Sequence, residues 1–446
     1  MIKLRLVFLA YVLTLLVAVL TFNSPAAARE YSLDDLYRIA LERAERIKVS
    51  EEDLYITERG KDKALAVLLP RLSVFGDYTR YSDDKTSGSG FIIQPEDSTS
   101  WGLKLDQTLS LSGREVTAFK ISKENIEKSR YDLYAVREEY LFGVSSAYYD
   151  VLKAQKAVEI ARANMERLTG HRDAADIRLK VGEVTKTALL RAEAELSGAQ
   201  SELVKAENGL KLAKAVLARQ VGISEDYELK ESGVKVETFK DRSLVSLKEE
   251  AMIERSEVRS LDIQRKTAED QVRYVRGTYW PTVSIEGVYS RKEDSPAPTF
   301  VLEETTYGGI RLNFPFFEGG LRRAEVKEAE ARQRQSELIY EDLKKTINIE
   351  VENAYLDLIT QREILKSLED QLAFAGDNYN ATSKQFEFGL ANSIDVMDAN
   401  TLLVTSERQL AEARLNYRLA DLRLKRATGT LLKTVVDSQQ SAVSGQ

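Results

Sequence analysis

Cysteine is absent from the 446 residues, and histidine occurs once, as His171. Without a thiol there is no disulfide framework, no thiolate metal site and no residue to carry a lipid after processing. No cluster of metal ligands, no nucleophile–base arrangement and no glycine-rich phosphate loop occurs, so the chain is not read as an enzyme. No cofactor or metal is expected. His171 reads as a solvated helix residue. The formal charge of -7 provides no nucleic-acid footprint. Long apolar runs are also missing, with one exception from Leu6 to Leu20. That run is shorter than the roughly 20 residues a spanning helix needs. Lys3 and Arg5 precede it and Ala26-Ala27-Ala28 follow, which predicts a signal peptide over 1–28.

What the chain does contain is heptads. From Leu133 one stripe runs through Tyr140, Ala147, Ala154, Ala161 and Leu168, beside Val144, Val151, Val158 and Met165. After Lys180-Val181-Gly182 it resumes as Leu189, Leu196, Leu203, Leu210 and Leu217, flanked by alanines. A strict step of seven imposes a left-handed coiled coil, because a straight helix of period 3.6 would carry the seam out of line. The pattern from Gly113 to Gly222 is thus a long helical hairpin with a tight turn at Gly182. From Arg114 to Arg178 alone the helix would extend roughly 100 Å at about 1.5 Å per residue.

The same hairpin occurs twice. A shift of 207 residues carries Gly113, Gly182 and Gly222 onto Gly320, Gly389 and Gly429, and Ala147-Tyr148 onto Ala354-Tyr355. A constant shift over both hairpins marks an internal duplication. The first repeat spans 29–222 and the second 243–432. Between them lies a polar segment, 223–242. The Ser/Gln-rich tail, 433–446, is expected to be disordered.

Each repeat opens with a helical pattern. The first runs from a Ser32 cap to Leu69. The second starts near Ser246, in capping-box spacing with Glu249, and stops before Pro281. Alternating runs follow. Leu72, Val74, Gly76 and Tyr78 oppose Ser73, Phe75, Asp77 and Thr79, and Trp101 opens a second run through Leu103 and Leu105. In the second repeat Val283, Ile285, Gly287 and Tyr289 alternate with Ser284, Glu286, Val288 and Ser290. A last run reads Ile310, Leu312, Phe314 and Phe316 opposite Arg311 and Asn313. The shift before the loops is 211, as from Ser73 to Ser284. Alternation alone suits a soluble sheet packed on helices. Three features favour a membrane instead: runs of about 10 residues, a polar face on each strand, and aromatic residues at the run ends (Tyr78, Tyr81, Trp101, Tyr279, Trp280, Tyr307). Four strands cannot close a barrel, and an open edge in lipid is forbidden. Several chains must then contribute to one barrel.

At this point the chain resembles the TolC-like outer-membrane efflux proteins over essentially its whole mature length. The residues that carry the resemblance are Asn313-Phe314-Pro315-Phe316-Phe317-Glu318-Gly319-Gly320, Ala354-Tyr355-Leu356-Asp357, Phe388-Gly389 through Asp395-Val396-Met397-Asp398-Ala399, and Arg426-Ala427-Thr428-Gly429. The first half is a weaker copy, since Thr108 to Gly113 lacks the proline and the aromatics. The resemblance implies a mainly α fold with membrane β. Duplicated coiled-coil hairpins would be joined to four strands per chain, and a homotrimer would close a twelve-stranded barrel in outer-membrane lipid. It further implies a helical tunnel reaching through the periplasm to an adaptor protein and an inner-membrane pump of RND or ABC type. Adaptor docking is implied at the turns, at Val181, Gly182, Glu183, Phe388, Gly389 and Leu390. Asp395 and Asp398 match acids that ring the family's tunnel entrance; read from the residues alone, they are acids at a helix start. Phe386 and Ala391 stand where the family has a tyrosine and an arginine that lock the entrance, and Ala188 replaces an acid, so a polar closing network is in doubt and packing at Phe386 takes its place. Efflux of small molecules is the preferred function. Type I protein secretion through the same channel is the alternative, and a secreted structural coiled coil is the reading from another class.

Overall fold

The computed structural model describes residues 29–224, 227–230, 242–298 and 302–444. The expected signal peptide and much of the inter-repeat segment lie outside the described residues. In chain order the elements are β1 (Arg29–Tyr31), α1 (Leu33–Arg43), α2 (Glu45–Val67), β2 (Arg71–Arg80), β3 (Lys85–Thr86), β4 (Ile92–Gln94), β5 (Asp97–Ser110), α3 (Arg114–Lys180) and α4 (Lys186–Val221). Then come β6 (Tyr227–Leu229), α5 (Leu244–Glu254), α6 (Ser256–Arg276), a 3-10 turn (Gly277–Tyr279), β7 (Thr282–Ser295), β8 (Glu304–Asn313), α7 (Leu321–Glu387), α8 (Ser393–Thr428) and α9 (Leu431–Ser444). The duplication extends to element length: α3 and α7 each have 67 residues, and α4 and α8 each have 36. Among the described residues no helix is long and apolar enough to cross a membrane.

The chain forms two compact units. One comprises Arg43–Gly143, Phe239–Glu363 and Tyr417–Gln446. Its centre is an antiparallel sheet in the order β2-β5-β7-β8. The register keeps like with like on each face. Leu72 stands opposite Leu105, Leu103 opposite Tyr289, and Ile285 opposite Ile310. On this face Leu72, Val74, Leu103, Ile285, Ile310 and Leu312 are all exposed, an apolar surface that water would not stabilise. The other face carries charge pairs: Arg71–Asp106 at 3.5 Å, Lys104–Glu286 at 3.6 Å and Arg311–Glu286 at 3.9 Å. Gly102 lies beneath Phe75 on that face; a Cβ there would fall 2.7 Å from the ring and 2.2 Å from the Tyr289 carbonyl oxygen.

Several boundaries depart from the sequence expectation. β5 begins at Asp97, so Trp101 sits inside the strand, paired with Gly76, rather than at its opening. β8 ends at Asn313, leaving Phe314 and Phe316 beyond the strand; Pro315 has no N–H to donate and restricts the residue before it. The polar loop after β2 holds the small hairpin β3–β4. The opening helix of each repeat is two helices, broken at Ala44 and Arg255. Both residues adopt extended backbone (ψ 122 and 124), and they occupy equivalent places in the duplication. The second repeat's helix starts at Leu244, two residues before Ser246, and is capped by Ser243, whose side chain accepts from the Ser246 amide at 3.2 Å.

The tail expected to be disordered, 433–446, instead continues α9, which begins at Leu431 and ends at Ser444. Leu431 and Val435, one turn apart, are buried, and the Glu138 carboxylate of α3 accepts from the Leu431 and Leu432 amides at 3.0 and 3.4 Å. A carboxylate at these otherwise unpaired N–H groups is what a helix start requires. The core beside it packs α5 and α6 onto α7 and α8 through Leu247, Val258, Ile347, Val351, Leu358 and Leu424.

The second unit comprises Met1–Glu42, Val144–Thr238 and Ile364–Asn416. Its heptad seam is buried at Val144, Val151, Val158, Leu168 and Leu196. It also holds a parallel strand pair, β1 with β6, which the sequence pattern did not suggest. Tyr148 anchors this pair by donating to the Lys230 carbonyl at 2.9 Å, and Tyr227 does so by donating to the Lys214 carbonyl at 2.9 Å.

Candidate functional site

Both hairpin turns lie in the unit just described, and both use the same helix-ending geometry. After α3 the Gly182 amide bonds to the Leu179 carbonyl and the Glu183 amide to the Arg178 carbonyl. After α7 the Gly389 amide bonds to the Phe386 carbonyl and the Leu390 amide to the Gln385 carbonyl. This Schellman arrangement needs a left-handed residue, and Gly182 and Gly389 supply it at φ +81 and +72. The geometry leaves Val181, Phe388 and Leu390 exposed, at 66, 78 and 79 %. Glu183 is exposed as well.

Arg178 links the two turns. Its guanidinium lies 4.4 Å from the Phe386 ring centroid, donates to the Phe386 carbonyl, and donates to the Glu387 carbonyl at 2.6 Å. Glu183 is 4.0 Å from its Nε. A cation at helix-terminal carbonyls complements both their unmet acceptors and the helix dipole. Phe386 is buried between these groups. His171, expected to be solvated, is half-buried: its ring is 5.0 Å from that of Phe386, and its Nε2 is 3.0 Å from Ser393 Oγ. Burial, and secondarily the positive charge of Arg178, hold the imidazole below its ordinary pKa, which favours the neutral form at neutral pH.

The acids of α8 take two distinct positions. Asn392 and Asp395 form a reciprocal cap, in which Asn392 Oδ1 accepts from the Ile394 and Asp395 amides at 2.7 and 3.1 Å and Asp395 Oδ2 accepts from the Asn392 amide at 2.9 Å. Asp395 therefore serves the helix start, as its place in the first turn allows, and remains exposed. Asp398 is exposed one turn on. Further along, α3 and α8 are tied by Arg167, which donates to Glu407 at 3.2 and 3.0 Å and to Asn400 at 3.2 Å; Asn400 in turn donates to Asn164 at 2.8 Å. These side chains fall outside the seams and read as a solvated wall, so sequence reasoning missed them. Among the described residues no group of acids and histidine is arranged to hold a metal ion.

Paired long hairpins with capped turns at one end of each, together with a sheet that exposes an apolar face opposite a charged one, define an outer-membrane channel protein. The family model described as outer membrane efflux protein matches residues 36–222 and 247–430, one match per repeat and well over half the chain. The protein belongs to the outer membrane efflux protein family and is an outer-membrane protein. It is similar to the outer membrane protein TolC of Escherichia coli (strain K12), 23 % identical over 387 residues, covering 83 % of this chain and 76 % of that one. It is also similar to the alkaline protease secretion protein AprF of Pseudomonas aeruginosa, 24 % identical over 409 residues, covering 89 % and 84 %. The fold matches the solved structure of the outer-membrane channel OprN with a TM-score of 0.80 at 17 % identity, covering 89 % of this chain and 90 % of that one.

Proposed function

We propose that three copies of this chain close one twelve-stranded barrel and form a tunnel that receives small molecules from an inner-membrane pump through a periplasmic adaptor. One observation carries the reading: a four-stranded sheet with an exposed apolar face and an open edge on both β2 and β8. Lipid tolerates the apolar face but not the edges, whose N–H and C=O groups would lack partners. Further copies of the chain satisfy them. The face carrying Arg71, Asp106, Lys104, Glu286 and Arg311 then lines water. The turns at 181–183 and 388–390, held together by Arg178 and presenting Val181, Phe388 and Leu390, suit the adaptor. The apolar exposure there resembles a surface kept for a partner.

Mass measurement of the detergent-extracted protein tests the assembly: three chains per particle are expected, and a monodisperse monomer that still inserts into bilayers would overturn the reading. Deletion of the gene tests the cargo: accumulation of dyes and other small toxic compounds should rise. The second reading, protein secretion, is favoured by the similarity to AprF, whose name states protease secretion. Loss of a secreted protein from the medium, with unchanged small-molecule accumulation, would select it.

A further inference from the structure

The duplication explains two of the sheet's three strand pairings as copies of each other. Ser73 opposite Lys104 in β2–β5 recurs as Ser284 opposite Arg311 in β7–β8. Leu72 opposite Leu105 recurs as Val283 opposite Leu312, and Gly76 opposite Trp101 as Gly287 opposite Gly308. The middle pairing, β5–β7, joins the two repeats and has no copy among the described residues. Its missing copy has one place to go. It would join β8 to the β2 of another molecule, the two strands whose outer edges stand open and whose residues are exposed almost throughout.

We propose that successive copies join through β8 and β2 in the register of β5–β7, which sets Arg311 directly opposite Asp77 of the partner subunit. The inference rests on the trimeric reading above and adds the residues that make the joint. Lys104 stands opposite Val288; the duplication carries Lys104 to Arg311 and Val288 to Asp77. Leu105 opposite Gly287 becomes Leu312 opposite the partner's Gly76. Leu103 opposite Tyr289 becomes Ile310 opposite the partner's Tyr78.

Two features not used to derive this register agree with it. It is even, so the apolar set Ile310 and Leu312 meets the partner's apolar set Tyr78 and Gly76 on one face; a slip of one residue would turn one strand's apolar side chains into the polar bore. It also pairs charges. Arg311 is one of the most exposed charges of the sheet, with a side-chain exposure of 77 %, and Glu286, at 3.9 Å, barely reaches it. Asp77 is exposed and makes no ion pair among the described residues. The next even registers would set Arg311 opposite Phe75 or Thr79, leaving both charges without their counterpart. Opposite charges directly across a ladder stabilise it, and an aromatic ring facing a β-branched residue, as Tyr78 faces Ile310, does the same.

The absence of native cysteine makes the register directly readable by cross-linking. Full-length protein carrying Arg311→Cys with Asp77→Cys, and a second carrying Leu312→Cys with Gly76→Cys, would be extracted in detergent and oxidised. Adjacent positions of an antiparallel ladder alternate between wide and close pairs, so one of the two has the spacing a disulfide needs. Covalent dimers and trimers are expected from at least one pair and only traces from the displaced pairs, Arg311→Cys with Phe75→Cys or with Thr79→Cys. Particles of three chains that cross-link at a displaced pair overturn the register while keeping the trimer. Particles of one chain overturn the trimeric reading and the joint with it. Should the cysteine variants fail to assemble, charge reversal decides. Arg311→Glu alone should lower the trimer fraction, and adding Asp77→Arg should restore it; a double variant no better than the single would sink the pairing.

Discussion

Arg178 and Phe386 belong to different repeats, yet the guanidinium lies 4.4 Å from the ring centroid and donates to the carbonyls of Phe386 and Glu387. The end of α7 is thereby capped from α3. Ala391 in the turn carries no charge, and the cation beside Phe386 comes from Arg178 of α3. Removing that cation in Arg178→Ala should cost about 1–2 kcal/mol of local stability, from the lost cation–π contact and the lost C-terminal charge. Hydrogen exchange would report it as faster exchange at Phe388, Leu390 and Ala391, with the β2-β5-β7-β8 amides unchanged. Arg178→Lys should fall between, since it keeps the charge but not the planar fork. Unchanged exchange at the turn in Arg178→Ala would show that the Schellman bonds alone hold it.

Gly182 and Gly389 have positive φ, and a Cβ added at either would meet nothing within 4 Å, so substitution there strains the backbone without a clash. A β-branched residue should cost roughly 1–2 kcal/mol at each turn through the left-handed conformation. Gly182→Val and Gly389→Val are expected to reduce export while assembly in detergent is retained, and the combination should reduce export further. Export at the wild-type level in all three variants would exclude the turns as docking points.

Much of this architecture was legible because its signals are local and repeated. Heptads and turn glycines recur at a shift of 207 and the strands before the loops at 211, and the long helices and strands they predict are present. What was illegible rests on contacts far apart in sequence. Arg178 and Phe386 are separated by 208 residues, and no period in either helix marks that one arginine faces a helix end. β1 and β6 are three residues each, too short for an alternation to register. The breaks at Ala44 and Arg255 fall within patterns whose apolar spacing continues across them. The tail from 433 was misread because its Ser/Gln composition hid Val435, and because the cap of the helix it continues, Glu138, lies in another helix.

Glu138 gives the protein a pH dependence. Burial raises its carboxyl pKa from 4.5 to about 6, against the opposing effects of Arg426 and of the amides it accepts from. A group whose folded pKa exceeds its unfolded one stabilises the fold when protonated. The contribution is present in full below about pH 4.5 and is lost as the pH rises through about 6. The shift corresponds to about 2 kcal/mol. Glu138→Gln can still accept from the α9 amides but carries no charge. It should flatten this part of the pH dependence between pH 4.5 and 7, and it should melt no lower than wild type at pH 8. Glu138→Ala leaves the Leu431 and Leu432 amides unpaired and should be destabilised across the whole range. Melting curves of the three proteins at matched detergent concentration check the order; a Gln variant that keeps the wild-type pH profile would assign the dependence elsewhere.

The last prediction concerns ion selectivity, and the geometry of α8 dictates how it must be tested. In a trimer, Asp395 and Asp398 would bring carboxylates from every chain around one opening. Converging like charges raise the local cation concentration and repel anions, and low-dielectric walls focus the field. A cation-selective pore, blocked by multivalent cations from the periplasmic side, is the expected behaviour. Asp395, however, also accepts from the Asn392 amide at 2.9 Å. Asp395→Ala would remove the cap together with the charge, at a cost of about 1 kcal/mol, and a changed current could then reflect a frayed α8. Asp395→Asn keeps an accepting oxygen and removes only the charge, and Asp398→Asn removes the second. Single-channel recording under a salt gradient should show the double Asn variant losing most of its cation preference and its sensitivity to trivalent block, while circular dichroism and melting stay at wild-type values. A reversal potential that does not move in the double variant would mean that Asp395 only caps its helix, that Asp398 is an ordinary solvated acid, and that selectivity is set elsewhere along the bore.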